Sequence, residues 1–183
     1  KTMRNKLGEM AEAIKSRFPS CRSRIFVDTA PVMERTWALA SGIGALGKNG
    51  QVMVLGWGSR ILLGEVVCAG VPSPEFIETY SPFELCGDCS KCMDSCPTKA
   101  IVAPAVVDSR RCLSYWTIEN KKDEIPNQVA EHLEQVFGCD KCIQACPAED
   151  SSIVTGLEPP PFEVSFEISL EELLMLTDKE ILE

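Results

Sequence analysis

Cysteine is the residue type with the clearest chemistry in this 183-residue chain, which has ten cysteines and a single histidine. The first run has the pattern C-x2-C-x2-C-x3-C-P and consists of Cys86, Cys89, Cys92 and Cys96 before Pro97. This spacing is typical of bacterial ferredoxins, in which three thiolates bind one [4Fe–4S] cluster and the fourth binds a second cluster. The run therefore predicts two clusters.

A second, shorter run follows about fifty residues later. It consists of Cys139, Cys142 and Cys146, again followed by a proline. The leading cysteine of the pattern is absent, because Val136 occupies its position. We expect Cys112 to supply the missing ligand.

The predicted ligands then form two sets of four. The first cluster is expected to bind Cys86, Cys89, Cys92 and Cys146. The second cluster is expected to bind Cys96, Cys112, Cys139 and Cys142. Two zinc sites of four thiolates each would use the same eight cysteines. The pattern C-x2-C-x2-C-x3-C-P favours iron–sulfur clusters, however, because it is much more specific than the two C-x2-C pairs that are typical of zinc sites. Disulfides are a weaker alternative, because they belong mostly to small secreted proteins.

Three further residues of these types lie outside the pattern. Cys21 and Cys68 are in apolar or strand-like surroundings, and we expect plain buried thiols there. His132 lies in a polar, helix-like stretch at 127–137. A surface or packing role is expected for His132, rather than metal binding.

Composition places the chain among globular proteins, since 45% of its residues are apolar and 25% are charged. No apolar stretch reaches the roughly 20 residues that a membrane span needs. Basic residues concentrate at 1–24 and acidic ones at 147–183, and the net charge is −9. No overall basic field attracts nucleic acid. We expect a cytoplasmic monomer with no membrane partner.

Hydrophobic periodicity and turn residues predict the elements that position the cysteines. In chain order we expect a helix at 3–18, a strand at 24–27, a helix capped by Asp28 or Thr29 and ending near 40, a flexible glycine-rich loop at 42–50, and a hairpin of strands 51–57 and 60–68. A linker at 71–84 precedes the cysteines, and a further helix is expected at 170–176.

Two long motifs beyond the cysteines carry a family resemblance. They are VDTAPVMERTWALASGIGALGKNG at 27–50 and GSRILLGEV at 58–66. With CGDCSKCMDSCPTKAIVAPAVVDSRRCLSYWTIEN at 86–120 and GCDKCIQACP at 138–147, the chain resembles the epoxyqueuosine reductases over about residues 20–150.

This resemblance implies an α+β fold with a partial nitroreductase-like cobalamin-binding domain at 1–83. A ferredoxin-like domain with two [4Fe–4S] clusters follows at 84–150, and an acidic tail at 151–183. The implied reaction converts epoxyqueuosine to queuosine at the wobble position of tRNA. Electrons pass from an unidentified donor through the clusters to the cobalt of cobalamin. A ferredoxin-type electron carrier, or another corrinoid reductase without a tRNA substrate, is the alternative.

The resemblance also implies roles for single residues. Asp28 matches the family's proposed proton donor, although the residue types alone favour a helix N-cap. Lys48, Asn49 and Ser114 match positions near cobalamin. Two departures leave open a relative with another substrate. Lys99 replaces the usual glycine, and Ala148-Glu149 replaces Trp-Asn.

Overall fold

The computed structural model describes residues 2–28, 30–72, 79–121 and 124–149. In this part of the chain, helices and short antiparallel strands are mixed, as an α+β fold requires. The acidic tail and the helix predicted at 170–176 lie outside the described residues, as does the middle of the predicted linker. Among the described residues, no helix is long and apolar enough to cross a membrane.

The first layer is a helix on a two-stranded sheet. Helix α1 (Thr2–Arg17) packs against β1 (Arg22–Phe26) and β4 (Glu65–Ala69), which pair antiparallel. Leu7 and Ala11 are four residues apart on α1 and are both buried, because this spacing places them on one helix face. The predictions of a helix at 3–18 and a strand at 24–27 agree with the structure to within two residues.

The predicted start of the second helix is wrong. Helix α2 spans Glu34–Ala40, and Met33 precedes it without a side-chain cap. Asp28 has a φ of 59°, whereas an N-cap residue has extended backbone angles. Its N–H donates to Glu34 Oε1 at 2.7 Å. The Glu34 carboxylate also places negative charge in the first turn of α2, where the helix dipole favours it.

The predicted hairpin of strands 51–57 and 60–68 is also wrong. Strand β3 (Val52–Met53) pairs with β2 (Ala45–Leu46), while β4 pairs with β1. The glycine-rich segment is therefore part of a small sheet and is not a flexible loop. A Cβ on Gly44 would overlap the carbonyl oxygen of Met53, so only glycine permits this close backbone approach.

The cysteine-rich part consists of short elements around a small core. In chain order they are α3 (Lys91–Ser95), β5 (Ile101–Ala103), β6 (Val106–Val107), a 3₁₀ turn (Ser109–Arg111), a π-helix (Tyr115–Glu119), α4 (Asn127–Ala130), α5 (Lys141–Gln144) and a 3₁₀ turn (Pro147–Glu149). Helices α3 and α5 pack together, and β5 pairs with β6. Of the helix-like stretch at 127–137, only the first four residues are α-helical, and His132 is exposed as expected.

Gly44→Ala is expected to destabilise the chain by about 1–3 kcal/mol, because the added methyl group must displace the backbone of β3. Gly8→Ala is the matched control, because Gly8 lies within α1 and a Cβ there would meet nothing within 4 Å. That change is expected to stabilise the chain by up to about 1 kcal/mol. Urea unfolding of both variants measures the two effects, and equal midpoints would contradict the close approach at Gly44.

Candidate iron–sulfur centre

The four cysteines predicted for the first cluster line one cavity of about 60 Å³. Two of them lie in consecutive turns, since the Cys86 N–H donates to the Phe83 carbonyl and the Cys89 N–H to the Cys86 carbonyl. Cys92 is in α3, and Cys146 follows α5. The structure therefore brings a cysteine from the second run to three from the first.

Thiol electrostatics describe the same neighbourhood. Burial raises the pKa of the Cys92 thiol, and the charges of Cys86 and Cys146 raise it further. Burial also raises the pKa of Cys146, and Glu149, Cys86 and Cys89 add to the effect. Thiolates this close repel each other, so they need a bound cation to stay ionised together.

The second predicted set also comes together. Burial raises the pKa of the Cys142 thiol to about 12, and the neighbouring thiols of Cys139, Cys96 and Cys112 contribute in that order. Cys96 ends α3 and Cys142 lies in α5, so the packing of these two helices positions both. Cys112, which stands alone in the sequence, follows the 3₁₀ turn Ser109–Arg111 and reaches the same group.

The donor set fits iron–sulfur clusters. Soft thiolate ligands favour clusters, zinc or copper(I), whereas carboxylates and carbonyls favour harder ions. In the described ranges, no three His, Cys, Asp or Glu side chains form a group that could hold a single metal ion. Eight thiols in two sets of four match the ligand number of two [4Fe–4S] clusters.

Lys48 joins the glycine-rich segment to the cysteine loop. Its Nζ donates to the carbonyl oxygens of Gly87 at 2.6 Å and Cys89 at 2.9 Å. The segment is held from the other side as well, because Arg35 Nη1 donates to the Gly50 carbonyl at 2.6 Å. Lys48 is expected beside cobalamin from the family resemblance, and its ammonium group lies on the cysteine loop.

Asn49 lies in the wall of the first cysteine cavity. It is 4% exposed, and its Oδ1 accepts a hydrogen bond from the Gln51 N–H at 3.1 Å. Its Nδ2 is buried and has no hydrogen-bond partner among the described residues. An unpaired buried donor costs about 1–3 kcal/mol, so an acceptor in this cavity would offset that cost.

Glu149 makes contacts that the sequence did not predict. Its Oε1 accepts hydrogen bonds from the backbone N–H and the hydroxyl of Ser59, both at 2.6 Å, and its Oε2 lies 3.4 Å from Arg60 Nε. The sequence marked Glu149 only as a departure from the family pattern. Ninety residues separate Ser59 from Glu149, so no local signal could have indicated the pair.

The other predicted site residues lie elsewhere. Asp28 is exposed and does not line the cysteine cavity. Ser114 precedes the π-helix Tyr115–Glu119 and makes no side-chain cap. Within that helix, the Thr117 hydroxyl accepts a hydrogen bond from the Gly138 N–H at 3.0 Å, which ties the helix to the segment before Cys139. Single-turn π-helices are frequent at functional sites.

Comparison with known proteins agrees with this geometry. Residues 85–149 match a family model described as a 4Fe-4S double cluster binding domain. An epoxyqueuosine reductase of Gloeobacter violaceus is 38% identical over 98% of this chain and 57% of its own length. One from Xanthomonas campestris is 41% identical over 80% of this chain and 40% of its own length.

Solved structures give the same result. The epoxyqueuosine reductase of Streptococcus thermophilus matches 98% of this chain and 46% of its own with a TM-score of 0.77 and 29% identity. An epoxyqueuosine reductase with an epoxyqueuosine-modified tRNA stem loop matches 84% of this chain and 40% of its own with a TM-score of 0.69 and 30% identity. The chain spans about half the length of the curated relatives it matches. It contains a 4Fe–4S cluster binding domain and belongs to the epoxyqueuosine reductase family.

Proposed function

We propose that this chain belongs to a cobalamin-dependent reductase that converts epoxyqueuosine to queuosine at the wobble position of tRNA. The observation that carries the proposal is the gathering of eight cysteines into two sets of four, the first of which lines a cavity together with Lys48 and Asn49 of the glycine-rich segment. The relative whose structure contains an epoxyqueuosine-modified tRNA stem loop supports the same substrate for this chain. The electron donor is unidentified, and a cytoplasmic monomer stays a prediction.

The reaction needs a supply of electrons and protons. Removing the epoxide oxygen breaks two carbon–oxygen bonds, forms a carbon–carbon double bond and releases water, and it consumes two electrons and two protons. A [4Fe–4S] cluster carries one electron at a time, and its potential depends on hydrogen bonds to its sulfurs and on exposure. Two clusters therefore act as a relay.

The proposed ligands form two sets of four cysteines. The first cluster binds Cys86, Cys89, Cys92 and Cys146. The second cluster binds Cys96, Cys112, Cys139 and Cys142. Each run thus supplies one ligand to the other cluster, Cys96 from the first run and Cys146 from the second. This exchange keeps the two clusters close enough for electron transfer, and the packing of α3 against α5 supports it.

Cobalamin completes the proposal, with residues 1–83 as part of a nitroreductase-like domain that binds it. When bound, it supplies the metal chemistry that breaks the carbon–oxygen bond. Exposed apolar side chains, among them Leu55, Trp57 and Leu62, give a corrin ring apolar surface to cover. Lys48, Asn49 and Ser114 are the proposed contacts, and the backbone of the glycine-rich segment allows a close approach.

Asp28 is the proposed proton donor to the departing oxygen. Its side chain is exposed, while its backbone is fixed by the bond from its N–H to Glu34. A left-handed backbone conformation is uncommon for a residue other than glycine, and aspartate tolerates it better than most. This conformation replaces the capping role that the sequence favoured, so Asp28 is available for proton transfer.

The function is tested with the full-length protein, reduced and supplied with cobalamin and with tRNA that carries epoxyqueuosine. Mass spectrometry of the digested nucleosides should detect queuosine. A control without cobalamin should give no product. A protein that holds its clusters but neither binds cobalamin nor forms queuosine would instead be an electron carrier.

Cys112→Ser tests the ligand assignment. Purified without oxygen, the parent protein should contain about eight irons, and Cys112→Ser should lose most of the four that belong to one cluster. Cys21→Ser is the matched control, because Cys21 is a buried cysteine that belongs to neither set. The iron content of this variant should equal that of the parent protein. Equal loss in both variants, or about two zinc ions and no iron in the parent, would contradict the assignment.

Asp28→Asn tests the proton donor. Asparagine tolerates the same left-handed backbone, so folding and iron content should survive. Loss of the ionisable proton should lower turnover on epoxyqueuosine tRNA by about 10²–10⁴. Glu34→Gln is the control for the loop, since its amide oxygen can still accept from the Asp28 N–H. An Asp28→Asn protein as active as its parent would exclude this carboxyl group as the donor.

A further inference from the structure

The buried side-chain amide of Asn49 is the starting observation. Its Oδ1 is paired within the glycine-rich segment, but its Nδ2 is buried without a partner among the described residues. The same side chain lines the cavity of Cys86, Cys89, Cys92 and Cys146. Buried donors almost always have a partner, so an orphaned donor in the wall of a thiol-lined cavity indicates an acceptor inside it.

Sulfur is the acceptor that this cavity offers when it is loaded. Hydrogen bonds to the sulfurs of an iron–sulfur cluster lower the free energy of its reduced, more negative form. The Asn49 side chain is held in place. Its Oδ1 accepts from the Gln51 N–H, which fixes its orientation, and Lys48, the preceding residue, is bound to the cysteine loop through its own side chain.

We propose that the Asn49 side-chain amide donates an N–H···S hydrogen bond to the cluster held by Cys86, Cys89, Cys92 and Cys146, and that it raises the reduction potential of that cluster above the value set by the thiolates alone. This role rests on the proposed binding of a cluster by these cysteines. The cluster takes one electron on reduction, and Asn49 keeps its proton. Asn49 thus tunes the reduction potential of this one cluster through a direct hydrogen bond to it.

Two variants of the full-length protein test the role. Asn49→Asp keeps the oxygen that accepts from Gln51 and removes the donor, while Asn49→Leu removes both. Asn5→Leu is the matched control, because Asn5 is exposed on α1. Each Asn49 variant should bind as much iron as its parent. At a fixed applied potential the reduced-to-oxidised ratio of one cluster should fall about tenfold, which is about 59 mV for a one-electron couple.

A second measurement detects the hydrogen bond itself in the parent protein, and this detection does not depend on how the variants fold. With nitrogen-15 in the asparagine side-chain amides only, pulsed electron paramagnetic resonance of the reduced protein should detect nitrogen coupled to one cluster. That coupling should disappear in Asn49→Leu and persist in Asn5→Leu.

The outcomes separate this role from the proposed function. Full iron content with no nitrogen coupling and unchanged potentials would overturn the role of Asn49 and leave the cluster assignment intact. An unchanged potential in Asn49→Asp alone would also overturn it, because the donor would then not set the potential. Absence of iron in the parent protein would overturn the cluster assignment itself.

Discussion

The ammonium group of Lys48 lies between two carbonyl oxygens of the cysteine loop, and the positions of the other site residues depend on this contact. It joins a segment made of glycines and two short strands to the turns that carry Cys86 and Cys89. The two acceptors are 2.6 and 2.9 Å from the Lys48 Nζ, and both are backbone carbonyls, so the contact fixes the course of the chain around Cys86 and Cys89.

Two of the residues that depart from the family pattern, Lys99 and Glu149, make contacts that account for them. Lys99 has a φ of 50°, a conformation that glycine adopts without strain, which accounts for the usual glycine at this position. Its Nζ donates to the Asp94 carbonyl at 2.6 Å, and this bond offsets part of the strain. Glu149 makes partly buried hydrogen bonds to Ser59 and a longer ion pair with Arg60. Lys99 and Glu149 thus have structural roles of their own, whereas no contact within the described part of the chain explains Ala148.

The sequence predicted what local spacing determines. The ferredoxin run marked the cysteines, the ligand count indicated Cys112, and helical periodicity found α1. It failed where partners are distant in the chain. The strand predicted at 60–68 is β4 (Glu65–Ala69) in the structure, and it pairs with β1 and not with β3, because pairing depends on tertiary packing as well as on local turn residues.

The start of α2 was mispredicted for a related reason. Aspartate is a residue type common at N-caps, but α2 begins six residues later, and Asp28 is held instead by the bond from its N–H to Glu34. The unpaired Nδ2 of Asn49 and the bonds that Glu149 accepts could not be predicted from the sequence either. Neither the burial of a side chain nor a partner ninety residues away is indicated by the local pattern of residues.

The exchange of cysteines between the two runs bears on how the protein is synthesised. The cavity lined by Cys86, Cys89 and Cys92 lacks its fourth thiol until Cys146 has left the ribosome. Because long-range contacts form slowly, three thiols wait exposed to oxygen and to competing metals while some fifty residues are added. With the proposed ligand sets, neither cluster can be completed during translation of the first run alone, so cofactor insertion would follow synthesis of both runs. An assembly factor that delivers iron would then have to recognise a chain in which Cys146 has already been synthesised and not a shorter nascent chain.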